Sequence, residues 1–201
     1  MKMESLLKIH FILIIFLGER EYLIGQDVYS AADVMMFSSN ELIYFHVVEP
    51  SKIGYVFKVR PARDFGDSFH TLYNRVHLVP VQPALACKEI ENSQLISGSF
   101  ALVERGDCPF VTKAKHAENA GAIGVLIADN DFSNDEITVN MIGDDSVTQV
   151  SIPAGLMLAE DSKHIKEALK TEGRNSAVIK IPVNVTNSPE LFIKQPPWSY
   201  W

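Results

Sequence analysis

The sequence predicts an α/β chain, a β-rich mixed sandwich with helices gathered at one side. Three observations carry that prediction. The stretch Ala101–Asn130 reads strand, turn, helix, turn, strand, which is a βαβ unit. Most other apolar runs are short and rich in β-formers, and both helical segments fall between strands. A chain of 201 residues, 47% hydrophobic and 21% charged, can bury one core and is expected to form about one domain.

Taken in order, the chain opens with Lys2 and Lys8 leading into Phe11–Leu17, an unbroken apolar run followed at once by Glu19-Arg20-Glu21. That is the pattern of a secretory leader, far short of the ~20 residues of a membrane span. A buried helix or strand is the rival reading. Residues 1–18 are the expected leader, with small residues at Gly18, Gly25 and Ala31-Ala32 leaving cleavage open between 18 and 32. A secreted product without a membrane span follows. Residues 19–40 are mixed and polar and are expected to be loose.

Leu42–Val48 and Gly54–Val59 are strands separated by the turn Glu49-Pro50-Ser51-Lys52, which suggests a hairpin with a longer loop. Asp64–His70 is a Gly-containing loop and Val76–Val79 a short strand ahead of Pro80 and Pro83. Gln94–Ile96 and Ser99–Val103 read as the strand entering the βαβ unit. Within that unit Gly106 suits a sharp reversal, and Pro109 suits the first helical position. Phe110, Ala114 and Ala117 make one apolar face, with Lys113, Lys115 and Glu118 left wet. Gly121 closes the helix, and Gly124–Ala128 is a buried strand. Ile137–Ile142 is one plausible short strand in an acidic segment, and Ile152–Leu158 is another strand. Asp161 or Ser162 can cap a helix that turns Ile165, Ala168 and Leu169 inward and ends at Gly173. Ala177–Val185 is the last strand, with Pro182 placing it at an edge or ending its pairing.

Cys87 and Cys108 are the only cysteines. An even pair in a secreted chain is most simply one disulfide. Zinc is the rival, poorly served without a Cys-x-x-Cys or a nearby His pair.

Several groups in the βαβ unit match a known pattern in order: Ala101-Leu102-Val103, Arg105-Gly106-Asp107-Cys108-Pro109-Phe110, Lys113-Ala114, Ala120-Gly121-Ala122 and Gly124–Ala128. Here the sequence resembles the protease-associated (PA) domain. The resemblance extends to Pro61–Gly66, His77–Pro80, Ile152-Pro153-Ala154, Ile181–Thr186 and Gln195–Trp198, segments similar to those of small secreted PA-domain glycoproteins. It implies a β-rich sandwich or barrel of the swivelling β/β/α type with two main flanking helices. It also implies no catalytic machinery and a role in contacting proteins. Residues 41–190 would form the domain, and 191–201 an aromatic tail packed on it.

The chemistry on offer is sparse. A formal charge of −7 argues against a nucleic-acid surface. No Gly-x-Ser-x-Gly, His-Glu-x-x-His or phosphate loop is present. His46, His70, His77, His116 and His164 are scattered, and His77, beside Tyr73 and Arg75, is the first to check for a triad. Asp129, Asp131, Ser133 and Asp135 alternate like the start of a calcium loop. However, Asn134 stands where that loop needs Gly and Asn140 where it needs a bidentate Glu, so a solvated loop is the plainer reading. Asn184-Val185-Thr186 is the one Asn-x-Ser/Thr sequon, and a glycan is expected on Asn184. Trp198, Tyr200 and Trp201 either cover an open face or, stiffened by Pro196-Pro197, form a peptide that a partner grips. The reading that joins these points is a secreted, glycosylated, non-catalytic module without a cofactor. It would bind a protein or peptide through edge strands and the loops Asp64–His70 and Asp131–Asp145. The alternative is a small secreted hydrolase or peptidase using the scattered His and acidic residues.

Overall fold

The computed structural model describes residues 42–143, 149–185 and 193–199. The expected leader and the segment 19–40 lie outside them. The strands are β1 (Ile43–Glu49), β2 (Val56–Pro61), β3 (Tyr73–Pro80), β4 (Phe100–Glu104), β5 (Gly124–Ala128), β6 (Ala154–Met157) and β7 (Ala177–Ile181). The helices are α1 (Ser93–Ile96), α2 (Phe110–Asn119) and α3 (Ala159–Glu172).

The strands close into a barrel in the order β1-β2-β6-β5-β4-β3-β7. β3, β4, β5 and β6 run parallel, and their neighbours pair antiparallel. The β1–β2 hairpin has the predicted partners, with Phe45 opposite Phe57. Parallel neighbours need crossovers, and α1 and α2 supply those into β4 and β5.

Alternation along each strand sorts side chains into two cores. Phe100, Leu102, Leu126 and Ala128 join Phe45, Phe57 and Val59 in one, to which α3 adds Ile165 and Leu169. Ala101, Val103, Val125 and Ile127 face the other way and pack with Val111, Ala114 and Ala117 of α2. Gly155 on β6 is there for space: a Cβ would lie 2.2 Å from Val59 Cγ1 and 3.3 Å from the Phe69 ring. Gly155→Ala is therefore expected to lower unfolding stability by about 2 kcal/mol, and an unchanged denaturant midpoint would contradict this packing.

Several expectations are corrected. Gln94–Ile96 belongs to helix α1, not to a strand. Its run is too short to pair, and Asn92 turns the chain by accepting from Gln82 N–H and donating to Pro80 O, both at 2.9 Å. Ile137–Ile142 forms no ladder. In a closed barrel β5 and β6 already have two partners each, so no edge remains, and Ile137 and Met141 are simply buried in the second core. β7 is likewise not an edge: it pairs β1 and β3 and ends at Ile181, just before Pro182. Helix α3 begins at Ala159, so Asp161 and Ser162 sit inside its first turn and are buried, with no cap bond. Lys113, expected to be wet, is 0% exposed. The helix ends do follow the glycines, with Gly121 and Gly173 at φ 86° and 63°.

Candidate functional site

A groove of about 310 Å³ opens at the end of the barrel where β4, β5 and β6 begin. Phe100, Tyr73, Ile123 and Pro153 line it, and Asp67, Ser68, His70 and Thr71 border it. Its position follows from the loop Asp64–His70. Phe69 is buried and stacks on Phe100 at 6.4 Å, anchoring the loop at that end of the barrel, while Tyr73 meets Phe100 edge-on at 5.8 Å. Gly66, at φ 76°, lets the loop approach residues 152–154: a Cβ there would fall 2.8 Å from Ile152 O. Asp67 N–H donates to Ile152 O at 3.2 Å. Asp67 Oδ1 in turn accepts from Ser68 N–H at 2.7 Å, which holds the turn. Asp67, Ser68, His70 and Thr71 are left exposed around an aromatic, apolar floor. That combination suits an extended polypeptide, whose side chains want the floor and whose amides want the rim.

The second nominated loop, Asp131–Asp145, is described only to residue 143. It is anchored where Arg63 N–H donates to Met141 O at 3.1 Å. Phe132 is 56% exposed with Lys163 Nζ 5.7 Å from its ring centroid.

The predicted site residues lie apart. Cys87 and Cys108 are joined by a disulfide with Cα atoms 5.7 Å apart. Asn184 is half-buried and lines a depression of about 260 Å³ with His46, Lys180 and Lys194, while Thr186 lies outside the described residues. Of the calcium candidates, Asp129 is buried and accepts from Arg105 Nη1 at 2.7 Å. Asp131 accepts from Ser133 N–H and Oγ, which holds its carboxyl below the usual range. Asp135 is exposed. Among the described residues no three His, Cys, Asp or Glu side chains converge as a metal set.

The five histidines among the described residues serve five neighbourhoods. His70 borders the groove. His46 sits half-exposed on β1, its pKa lowered by burial and by Lys180 and Lys194. His116 Nδ1 donates to Ala86 O at 2.7 Å. His164 stacks on Trp198 with ring centroids 3.8 Å apart. His77 Nδ1 lies 2.9 Å from Ser176 Oγ on an exposed face, and among the described residues no carboxylate contacts the imidazole.

Two sets of partners had no signal in the sequence. Packing of the tail is an expectation of the resemblance, but its contacts are not: Trp198 Nε1–H donates to Asp161 Oδ1 at 2.8 Å and Tyr55 meets the indole edge-on at 5.4 Å. Lys194 O accepts from Val56 N–H at 2.9 Å, tying the tail to the start of β2. The second set is Lys113 buried against the disulfide. Partners 37 and 26 residues apart leave no periodic trace.

A PA domain family model matches residues 75–165, which span β3 through the first half of α3. The chain is also 38% identical over 161 residues to the PRADC1-like protein of Drosophila melanogaster, covering 79% of this chain and 82% of that one. The chain belongs to the PA domain family. The chain is also 36% identical over 93 residues to the Xenopus laevis ER degradation-enhancing alpha-mannosidase-like protein 3, which is 44% of this chain and 10% of that protein. Among solved structures, BSAP, a zinc aminopeptidase from Bacillus subtilis, aligns over 70% of this chain and 29% of its own, with TM-score 0.46 and 21% identity. The chain spans about a tenth of the mannosidase-like protein's length.

Proposed function

We propose that this PA-domain protein is secreted, carries a glycan on Asn184, and binds a protein or extended peptide without transforming it. The observation that carries the reading is the groove beside Phe69 and Phe100: an apolar floor ringed by exposed polar side chains, built on a rigid barrel. The leader-like residues 1–18 support secretion, and the one disulfide fits an oxidising compartment.

Peptides selected from a displayed library against the wild-type chain test the site. Thr71→Arg, which fills the groove from an exposed position, is expected to weaken those peptides at least tenfold. Equal binding to both proteins would remove the groove from the proposal. The glycan has its own test: Asn184→Gln is expected to abolish the mobility shift that glycosidase produces in secreted material, and a wild-type chain insensitive to glycosidase would end that part.

The hydrolase alternative keeps one observation in its favour, the 2.9 Å approach of Ser176 Oγ to His77. Among the described residues no carboxylate contacts that imidazole, so the pair holds two of the parts acyl transfer needs. Peptide turnover lost in both Ser176→Ala and His77→Ala would establish it.

A further inference from the structure

The buried cation of the domain stands beside its one covalent cross-link. Lys113 projects from α2 and is 0% exposed. Its Nζ donates to Leu85 O at 2.6 Å and lies 3.5 Å from Cys87 Sγ. Burial lowers its pKa, and only the longer-range charges of Asp107 and Glu104 oppose that. Among the described residues no carboxylate forms an ion pair with it. A buried ammonium without a counter-ion is expensive, and in the oxidised protein the nearest sulfur is neutral. Reduction would change that, because Cys87 could then carry a full negative charge against Nζ.

The loop that presents Cys87 does not depend on the disulfide alone. Ala84 O accepts from Glu104 N–H at 2.8 Å, Leu85 O from Lys113 and Ala86 O from His116 at 2.7 Å. Each residue of the run that leads into Cys87 is thus tied to β4 or α2. With the S–S bond open, these ties would keep Cys87 beside Lys113 and near Cys108 at the head of α2. Both cysteines are partly exposed, so an incoming thiolate can reach the bridge.

We propose that the Cys87–Cys108 bridge is an exchange-reactive disulfide whose partner is a dithiol, and that Lys113 is the positioning residue that receives Cys87 as the leaving thiolate. A thiolate of the dithiol attacks Cys108 Sγ, forming a mixed disulfide as the Cys87–Cys108 bond breaks. The bonding electron pair leaves on Cys87 Sγ and is neutralised by the Lys113 ammonium. The second thiol of the dithiol, as thiolate, then attacks its own sulfur in the mixed disulfide. Cys108 departs as a thiolate that takes up a proton, the dithiol is oxidised to a disulfide, and the protein is reduced by two electrons. The carbonyl oxygens of Leu85 and Gly106, 3.6 and 3.7 Å from Cys87 Sγ, oppose a thiolate. Leu85 O, however, is already engaged by Lys113, and a full positive charge at 3.5 Å outweighs one remaining dipole.

The test uses the full chain reduced with dithiothreitol, with Cys108→Ser isolating Cys87. The rate of iodoacetamide alkylation is followed against pH, and folding is checked by circular dichroism. The expected midpoint for Cys87 is below ~7.5, the range of thiolates beside a cation, against ~8.5 for an ordinary thiol. In the Cys108→Ser chain Lys113→Met is expected to return the midpoint to the ordinary value, and in the chain with both cysteines it is expected to shift the exchange equilibrium with dithiothreitol toward the disulfide. Lys113→Arg is expected to keep it low, which a purely structural role would not require. A wild-type midpoint at or above the ordinary value overturns the proposal, as does a midpoint that Lys113→Met leaves unchanged. Should Lys113→Met fail to fold, the wild-type profile alone decides. Peptide binding at the groove is not read in this experiment, so its outcome is independent of the proposed function.

Discussion

Trp198→Ala is expected to lower the unfolding free energy by about 3 kcal/mol, measured as a drop in the denaturant midpoint at unchanged slope. The indole makes three contacts that alanine cannot replace: a stack on His164 at 3.8 Å, an edge contact with Tyr55 at 5.4 Å, and the N–H donated to Asp161. Each aromatic pair contributes about 1 kcal/mol beyond area burial. Removing the N–H also leaves Asp161, only 1% exposed, without its donor. Trp198→Phe keeps a smaller ring against His164, loses the hydrogen bond, and should fall between Trp198→Ala and wild type. If Trp198→Ala leaves the midpoint where it was and instead abolishes partner binding, the tail is a peptide that a partner grips.

Asp161→Asn has the opposite sign. Burial pushes the Asp161 carboxyl up to about 6 from an ordinary value of 3.8. The Trp198 N–H and the Lys58 charge pull it down, and Glu160 adds a smaller push upward. The folded chain thus holds this proton more tightly than the unfolded one. The contribution of Asp161 is most favourable below about pH 4, declines as pH rises toward 6, and is flat above. A shift of roughly two units corresponds to about 3 kcal/mol of destabilisation at neutral pH. Asn is neutral at every pH and its Oδ1 still accepts from the indole. Asp161→Asn should therefore stabilise the domain by about that amount at pH 7 and by little at pH 4. Carboxylates such as Glu118 move the other way: burial raises its pKa, but Lys115 and Ser151 outweigh burial and lower it. The quantity to read is therefore the difference between variant and wild type across pH, in which such groups cancel. A difference that does not grow between about pH 4 and pH 7 would show that Asp161 is not a buried acid.

Both predictions turn on the pairing of Trp198 with Asp161, 37 positions apart, which no local pattern signals. Asp161 looked like a helix cap because Asp near the start of an apolar periodicity usually is one. The helix actually starts two residues earlier, at Ala159, where Leu158 turns the chain out of β6 without a side-chain cap. Lys113 looked wet because its charge outranked its place on the helix. The face it occupies is covered by the loop that Cys87 ties down. Where local rules and local geometry agree, the reading held. Arg105-Gly106-Asp107 turns, Gly121 and Gly173 follow the helix ends in left-handed backbone, and Gly124–Ala128 is buried throughout; Pro109 is displaced by one, standing as the N-cap with Phe110 the first helical residue. In the groove, the loop Asp64–His70 was legible as a loop, but its partners Tyr73, Phe100 and Ile123 were not.

What the amino-acid order alone determined was most of the elements, their succession, and the family to which the βαβ stretch belongs. Those properties depend on spacing of 2 and 3.6 residues and on turn residues, which act within a few positions of the chain. Only the tertiary structure decided that the sheet closes, which leaves Ile137–Ile142 without an edge to join. Only the tertiary structure brought Trp198 to Asp161 and Lys113 to Cys87. Such pairings arise from where the closed barrel carries distant segments, and the free energy of burial that enforces them has no period along the chain.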